Sequence, residues 1–146
     1  MASKRIALRG SPAVDEQEVS SEAITPGHLI ELSSGAWIKH GDAGLNAAPI
    51  FALERDEMGD TIEDDYASGD TVKSGRFSSA MKVNALIASG QNLSKGAYLE
   101  SAGNGTLRAL ATDAATDDTQ RVSVVAQSAE DSGAVVVTTR HKVWVV

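Results

Sequence analysis

Three histidines, one acidic block and a scatter of serines are the side chains on which chemistry could rest. His28, His40 and His141 are the only imidazoles among 146 residues, and there is no cysteine. A zinc site would need the fold to gather all three histidines, since thiolate ligands are not on offer. A Ser/His/Asp arrangement is met trivially by composition in a chain with this much serine and aspartate, so composition does not argue for one. The plainer reading makes His28 and His40 surface or loop residues and packs His141 on one face of a strand. Glu54 to Asp65 holds seven carboxylates and one arginine, net −6 over twelve residues. Calcium takes several such oxygens, but the spacing is not that of a calcium loop. A solvated acidic loop, or a face that meets a basic partner, fits better. The nucleophile elbow, the phosphate loop and the paired-histidine helix of metalloproteases do not occur. Gly103-Asn104-Gly105 is too short for a dinucleotide loop. The expectation is a non-enzyme without metal or cofactor.

The elements that must position these residues are strands. Asn104-Gly105 lies between two apolar/polar runs, Ala97 to Ser101 and Thr106 to Ala109, which predicts a hairpin with a type I′ turn. The turn that leads into it recurs. Thr25-Pro26-Gly27, Ala67-Ser68-Gly69 and Ser94-Lys95-Gly96 are each followed by two residues, an aliphatic (Ile30, Val72, Leu99) and a charge (Glu31, Lys73, Glu100). Glycine reaches the turn geometry that other residues reach only at a cost. Alternation then sends the aliphatic inward and the charge outward.

The remaining segments follow the same logic. His28 to Leu32 and Ala36 to Lys39 form a hairpin about Ser33-Ser34-Gly35. Pro49 to Leu53 is a strand that begins at a proline, where the missing N–H is tolerated. Thr61 to Tyr66 makes a helical turn capped by Asp60 or Thr61. Thr71 to Lys73 and Met81 to Ile87 are strands bracketing a loop at Ser74 to Ala80, and Ala111 to Gln120 is a polar loop. Val122 to Ala126 and a long returning strand, Ala134 to Val146, close the chain. On the long strand Val135, Val137, Thr139, His141, Val143 and Val145 share one face, with Arg140, Lys142 and Trp144 on the other. Such a strand must lie inside a barrel or under a neighbour, because an exposed edge invites aggregation. Roughly eight or nine strands and at most one short helix predict an all-β fold, a small barrel or sandwich.

Size predicts one domain. The net charge of −7 argues against a nucleic-acid partner, which wants a basic face. No apolar run is long enough for a membrane span, and Met1 to Gly10 lacks the apolar core of a secretory signal, so synthesis and assembly in a cytoplasm are expected. Met1 to Ser21 stands apart, with a basic tip of Lys4, Arg5 and Arg9, an acidic stem of Asp15, Glu16, Glu18 and Glu22, and a break at Ser11-Pro12. It reads as an extended arm, residues 1–23, before a body of residues 24–146. The tryptophans are Trp37 and Trp144, and Trp144 is either a partial core residue or an interface anchor.

In this order of units the chain resembles the capsid decoration, or cement, proteins of tailed bacteriophages. The likeness rests on the polar arm, Thr-Pro-Gly-His-Leu-Ile-Glu-Leu at residues 25–32, Ala-Pro-Ile-Phe-Ala-Leu-Glu at 48–54, Asp-Asp-Tyr-Ala-Ser-Gly-Asp-Thr-Val at 64–72, Gly-Ala-Tyr-Leu-Glu-Ser-Ala-Gly-Asn-Gly-Thr-Leu at 96–107 and the valine-rich end. The resemblance implies a small β-barrel or tulip-like domain with an N-terminal arm, sitting as a homotrimer on the outer surface of the virion head. There it would bridge neighbouring major capsid proteins and stabilise the head. The contacts expected to the capsid or to other subunits are Lys4, Arg5, Ile6, Leu8, Arg9 and Trp144. Two rival readings are a carbohydrate- or surface-binding module, whose aromatic platform would draw on Trp37, Tyr66, Tyr98 and Trp144, and a small hydrolase or metal enzyme built on the histidines.

Overall fold

A computed structural model describes residues 4–14, 17–110 and 124–146. Five strands close into a barrel: β9 (Lys82–Ile87), β12 (Leu107–Ala109), β11 (Tyr98–Ser101), β13 (Ala126–Ser128) and β15 (Thr139–Val145), which returns to β9. The pairings are antiparallel except β12 with β9, a parallel contact at Leu107 and Ile87. Val83, Ala85, Ile87, Leu99, Leu107, Ala126, Val143 and Val145 are all buried in the main core. A barrel this small is filled by its own side chains. The fold is therefore all-β, a small barrel, as the strand pattern predicts.

β9 organises the barrel. One edge pairs with β15 from Thr139↔Ile87 to Trp144↔Lys82. The other edge has three successive partners. The N–H of Asn84 donates to Ile6 O, that of Leu86 to Gly27 O and that of Ala88 to Leu107 O, at 2.8, 3.1 and 2.9 Å. A buried strand must find a partner for every backbone donor, and here the arm, a turn and β12 each satisfy one. The first of these is β1 (Ala7–Arg9), antiparallel to β9 with a bulge between Ala7 and Arg9.

A second layer packs beside the barrel. β2 (Ala13–Val14) and β6 (Ile50–Ala52) flank β8 (Ser74–Arg76), β3 (Glu18–Val19) pairs with β7 (Thr71–Val72), and β4 (Ile30–Ser33) makes a hairpin with β5 (Ala36–Lys39). Its own core is Ile24, Ile30, Trp37, Ile50, Ala52, Tyr66 and Val72. Phe51 reaches the main core and meets Phe77 edge-on, with ring centroids 5.7 Å apart. β10 (Asn92–Leu93) and β14 (Gly133–Ala134) form a separate two-stranded pair.

The three repeated turns are one structure used three times. Gly27, Gly69 and Gly96 have φ of 102°, 92° and 91°. In each turn the residue after the glycine donates back to the first residue at 3.0 Å: His28 to Thr25, Asp70 to Ala67 and Ala97 to Ser94. Positive φ at the third position, with proline tolerated at the second, is the signature of a type II turn. Each glycine N–H also donates to another segment, to Ala52 O, Ser20 O and Ser128 O respectively. The aliphatics Ile30, Val72 and Leu99 are buried as the alternation predicts. Glu100 is not outward: it is buried and pairs with Arg108 at 3.0 Å.

Several elements differ from their sequence expectation. The hairpin between β11 and β12 is present, but its turn is a three-residue loop closed by Ala102 N–H to Thr106 O. Gly103 and Gly105 take positive φ there and Asn104 does not. A type I′ turn at Asn104-Gly105, which needs positive φ at both residues, is excluded by Asn104; the tip packs closely on Lys39 and Ala43, where a side chain at Gly105 or Gly103 would stand 2.9 Å from their Cβ atoms. Ser74 to Arg76, expected as loop, is β8, with Ser74 and Gly75 buried between β2 and β6. The helical turn falls at Asp56–Met58, as a 3-10 turn ended by Gly59 at φ 82°. Thr61 to Asp64 is a turn closed by the Asp64 carboxylate on the Thr61 N–H and hydroxyl. The long last strand is two, since β14 leaves to pair with β10 while Val136 and Val137 stand 84% and 68% exposed. Of the expected strand at Val122 to Ala126, the observed β13 begins at Ala126; residues 122–123 and the polar loop at 111–120 lie outside the described residues.

Candidate interaction surface

The histidines are separated by the fold and each is held by local partners. His28 accepts the Thr25 N–H at Nδ1, 2.9 Å away, inside the first type II turn. Burial and the nearby Lys39 ammonium lower its pKa to about 4. His40 is not a surface residue: it is 2% exposed, with Nδ1 2.7 Å from Ser101 Oγ and Nε2 3.1 Å from Asn46 O and 3.5 Å from Glu31 Oε2. Serine, histidine and carboxylate thus line up, but Ser101 is itself fully buried and its Oγ also accepts the Gly103 N–H. The chain of bonds ties β11 to the loop after β5. His141 packs inward on β15, with Nε2 2.7 Å from Ser128 Oγ, and burial lowers its pKa. Among the described residues no group of three or more histidine or carboxylate side chains converges as a metal-holding set.

The acidic block receives the arm. The Glu54 carboxylate, 8% exposed, accepts the Ile6 N–H at 3.2 Å and pairs with Arg5 at 3.5 Å. Arg5 also reaches Asp56 at 3.1 Å, and Asp56 in turn meets Lys73 at 2.9 Å. The hydrogen bond from Lys73 is the main reason the Asp56 pKa falls to about 2. Burial works against the Lys73 charge, but the Asp56 and Glu57 carboxylates outweigh it and its pKa rises. A cleft of about 530 Å³ opens beside this clasp, lined by Lys4, Arg5, Glu54, Asp56, Asp60 and Ile62 among others. The arm is thus laid on its own body as β1, β2 and β3 rather than extended from it. Of the expected contact residues, Ile6 is fully buried in the main core and is not available to a partner. Arg5 is engaged with the acidic block, Leu8 is half-buried and Lys4 is exposed.

The fold does bring two of them together. The guanidinium of Arg9 lies 5.4 Å from the centroid of the Trp144 ring, and the Lys82 ammonium lies 4.9 Å from it. Register explains the meeting: Arg9 pairs with Lys82, Lys82 with Trp144, Trp144 with Gln127 and Gln127 with Tyr98. Directly paired residues share a face, so these five side chains form one row running around the outside of the barrel, about 19 Å along its curve at the usual strand spacing. Tyr98 is 50% exposed, and Trp144 is half-buried with His141, Val143 and Val145 facing the other way. Lys142 lies on the same outer face of β15. Arg140, Arg108, Arg55, Lys73 and Arg5 all have carboxylate partners. Arg9, Lys82 and Lys142 have none among the described residues, and neither do Lys4, Lys39 and Lys95. Of the four aromatics considered for a platform, Trp37 and Tyr66 are core residues. Tyr66 donates to Leu53 O at 2.5 Å and burial raises its pKa to about 12. Lys82, Gln127 and Tyr98 were not legible as neighbours of Trp144, because only the pairing register of four strands aligns them.

No family model matches the chain, and no curated protein matches it in sequence. Among solved structures it is similar to the N base of head fiber gp8.5 of bacteriophage phi29, with a TM-score of 0.57 and 12% identity. The match covers 90% of this chain and 92% of the other. At that identity the likeness shows a shared fold.

Proposed function

We propose that this protein is a virion structural protein of a tailed phage that binds the outer surface of the capsid and stabilises the head by bridging neighbouring major capsid proteins. The observation that carries the reading is the correspondence in fold, over nearly the full length of both chains, with a protein named for the head fiber of a phage. The molecule supports it in a second way. It is a closed barrel whose N-terminal segment pairs with its own sheets, and it presents an outward row of aromatic and cationic groups that meet no carboxylate among the described residues. Attachment through such a surface needs no cleft or cofactor, and many weak contacts on a lattice add to a stable coat. In this reading it acts as a homotrimer on the head and is assembled in the host cytoplasm. It has no direct contact with nucleic acid or membrane and does not act as an enzyme. Purified chain mixed with expanded, undecorated heads should co-sediment saturably; failure to bind counts against the proposal. The rival reading, a glycan-binding module, keeps one supporting fact, that Tyr98 and Trp144 share the outer row. A glycan array with clear hits would favour it.

A further inference from the structure

Deepening the reading above, and resting on it, we infer that the Arg9–Lys82–Trp144 cluster of this row is the centre of a docking site and that it takes a carboxylate-bearing segment of a neighbouring protein. The chain is acidic overall, at −7, yet this wall gathers three cations, Arg9, Lys82 and Lys142, that meet no carboxylate of their own among the described residues. Elsewhere Arg55, Arg108 and Arg140 are satisfied internally, and Lys4, Lys39 and Lys95, which also lack a carboxylate, have no ring contact among the described residues; two cations converging on one indole are particular to this wall. An unneutralised cation pair stacked on an indole is held in place by the ring while its hydrogen-bonding capacity stays open. An arriving carboxylate gains charge-assisted hydrogen bonds without displacing an internal partner.

Tryptophan flanked by arginine and lysine, with a tyrosine farther along the row, has the composition of an interface centre. The Arg9–Lys82–Trp144 end of the row is compact, with both cations within 5.4 Å of one ring centroid, while Gln127 and Tyr98 follow the curve of the barrel away from it. Two to three cations match one or two side-chain carboxylates, whereas a nucleic acid would bring a run of phosphates toward a protein of net negative charge. Gln127 is partly committed, its Nε2 donating to Gly96 O at 2.9 Å, so it offers mainly its carbonyl to the row. The occupant would therefore lay acid groups over Arg9 and Lys82 and an apolar or backbone stretch across Trp144 toward Tyr98.

Two measurements test this with the full chain. In the first, Lys82→Glu, Arg9→Glu and Trp144→Leu are compared with wild type for binding to expanded heads. Lys95→Glu, on a turn outside the row, is the control. Thermal unfolding checks that each variant is folded. The docking site requires a loss of tenfold or more for each row variant and no change for the control. Wild-type binding matched by all three variants overturns the docking site and leaves the capsid reading standing; absence of wild-type binding removes both. In the second, the Trp144 indole and Tyr98 resonances are followed by NMR while poly-L-glutamate is added. A salt-sensitive shift confined to the row supports the inference. No shift, or a shift with a sulfated oligosaccharide alone, overturns it. Sedimentation without heads completes the set, and self-association of wild type that Lys82→Glu abolishes would reassign the row to a second copy of this chain.

Discussion

At the scale of single residues, the histidines matter as much for stability as for any chemistry. His28 is held near pKa 4 by burial, against 6.5 in the unfolded chain, and His141 is lowered in the same direction. Between those values the unfolded chain binds more protons than the folded one, so the stabilising effect of neutral imidazole is present above about pH 6.5 and is lost as pH falls through 4. The unfolding midpoint should therefore drop on acidification from pH 6.5 to 4. His28→Gln should flatten part of that slope; an unchanged profile would show that His28 is not the group responsible. Asp56 has the usual carboxylate sign, its contribution present above its unfolded value of 3.8 and lost as pH falls toward 2. Lys73→Gln should move the Asp56 midpoint, read by carboxyl NMR, back up toward 3.8. Ile6 is the residue whose role the sequence disguised. In Arg5-Ile6-Ala7-Leu8-Arg9 the isoleucine looks like a contact side chain beside two charges, and only the packing of this segment on β9 makes it core. Ile6→Ala should cost about 2–5 kcal/mol by leaving a cavity, far more than an exposed contact residue would.

At the scale of elements, the recurring turn into a strand was legible and the register was not. Glycine at positive φ followed by an aliphatic and a charge is a local pattern, and the structure repeats it at Gly27, Gly69 and Gly96 with the same backward hydrogen bond. Gly69 has open space where a Cβ would stand, so Gly69→Ala isolates backbone strain and should cost about 1 kcal/mol. Gly27→Ala should cost more, because the new Cβ would stand 3.1 Å from Asn84 O. Gly41, without positive φ and with its nearest neighbour at 4.0 Å, should tolerate alanine; equal losses at Gly69 and Gly41 in chemical denaturation would contradict this. What could not be read were features set by distant partners. β8 contains Gly75 and lacks an alternating pattern, and it becomes a strand because β2 and β6 pair with it on both sides. The last strand breaks at Val136 and Val137 although its valines favour continuation, because β10 captures Gly133 and Ala134. His40 looked like loop and is buried, since the tip of the β11–β12 hairpin closes over it through Gly105 N–H to His40 O at 3.1 Å.

At the scale of the whole molecule, the sequence supports an all-β barrel. The structure adds that the leader is part of the body: Ile6, just before β1, joins the main core, and Glu54 and Asp56 clasp Arg5. A leader held this way presents its remaining face, Arg9, to the outer wall, where it joins a residue more than a hundred positions away in the chain. That convergence joins Arg9 and Trp144, which sequence reasoning named separately, into one surface and leaves Lys4, Arg5 and Ile6 outside it. The account's central claim is attachment to the outside of a phage head. The most direct measurement is an image reconstruction of expanded, undecorated phage heads incubated with the purified chain. The account predicts added density on the outer surface, with the barrel wall bearing Arg9, Lys82 and Trp144 against the capsid. Heads that remain bare at saturating protein would contradict it.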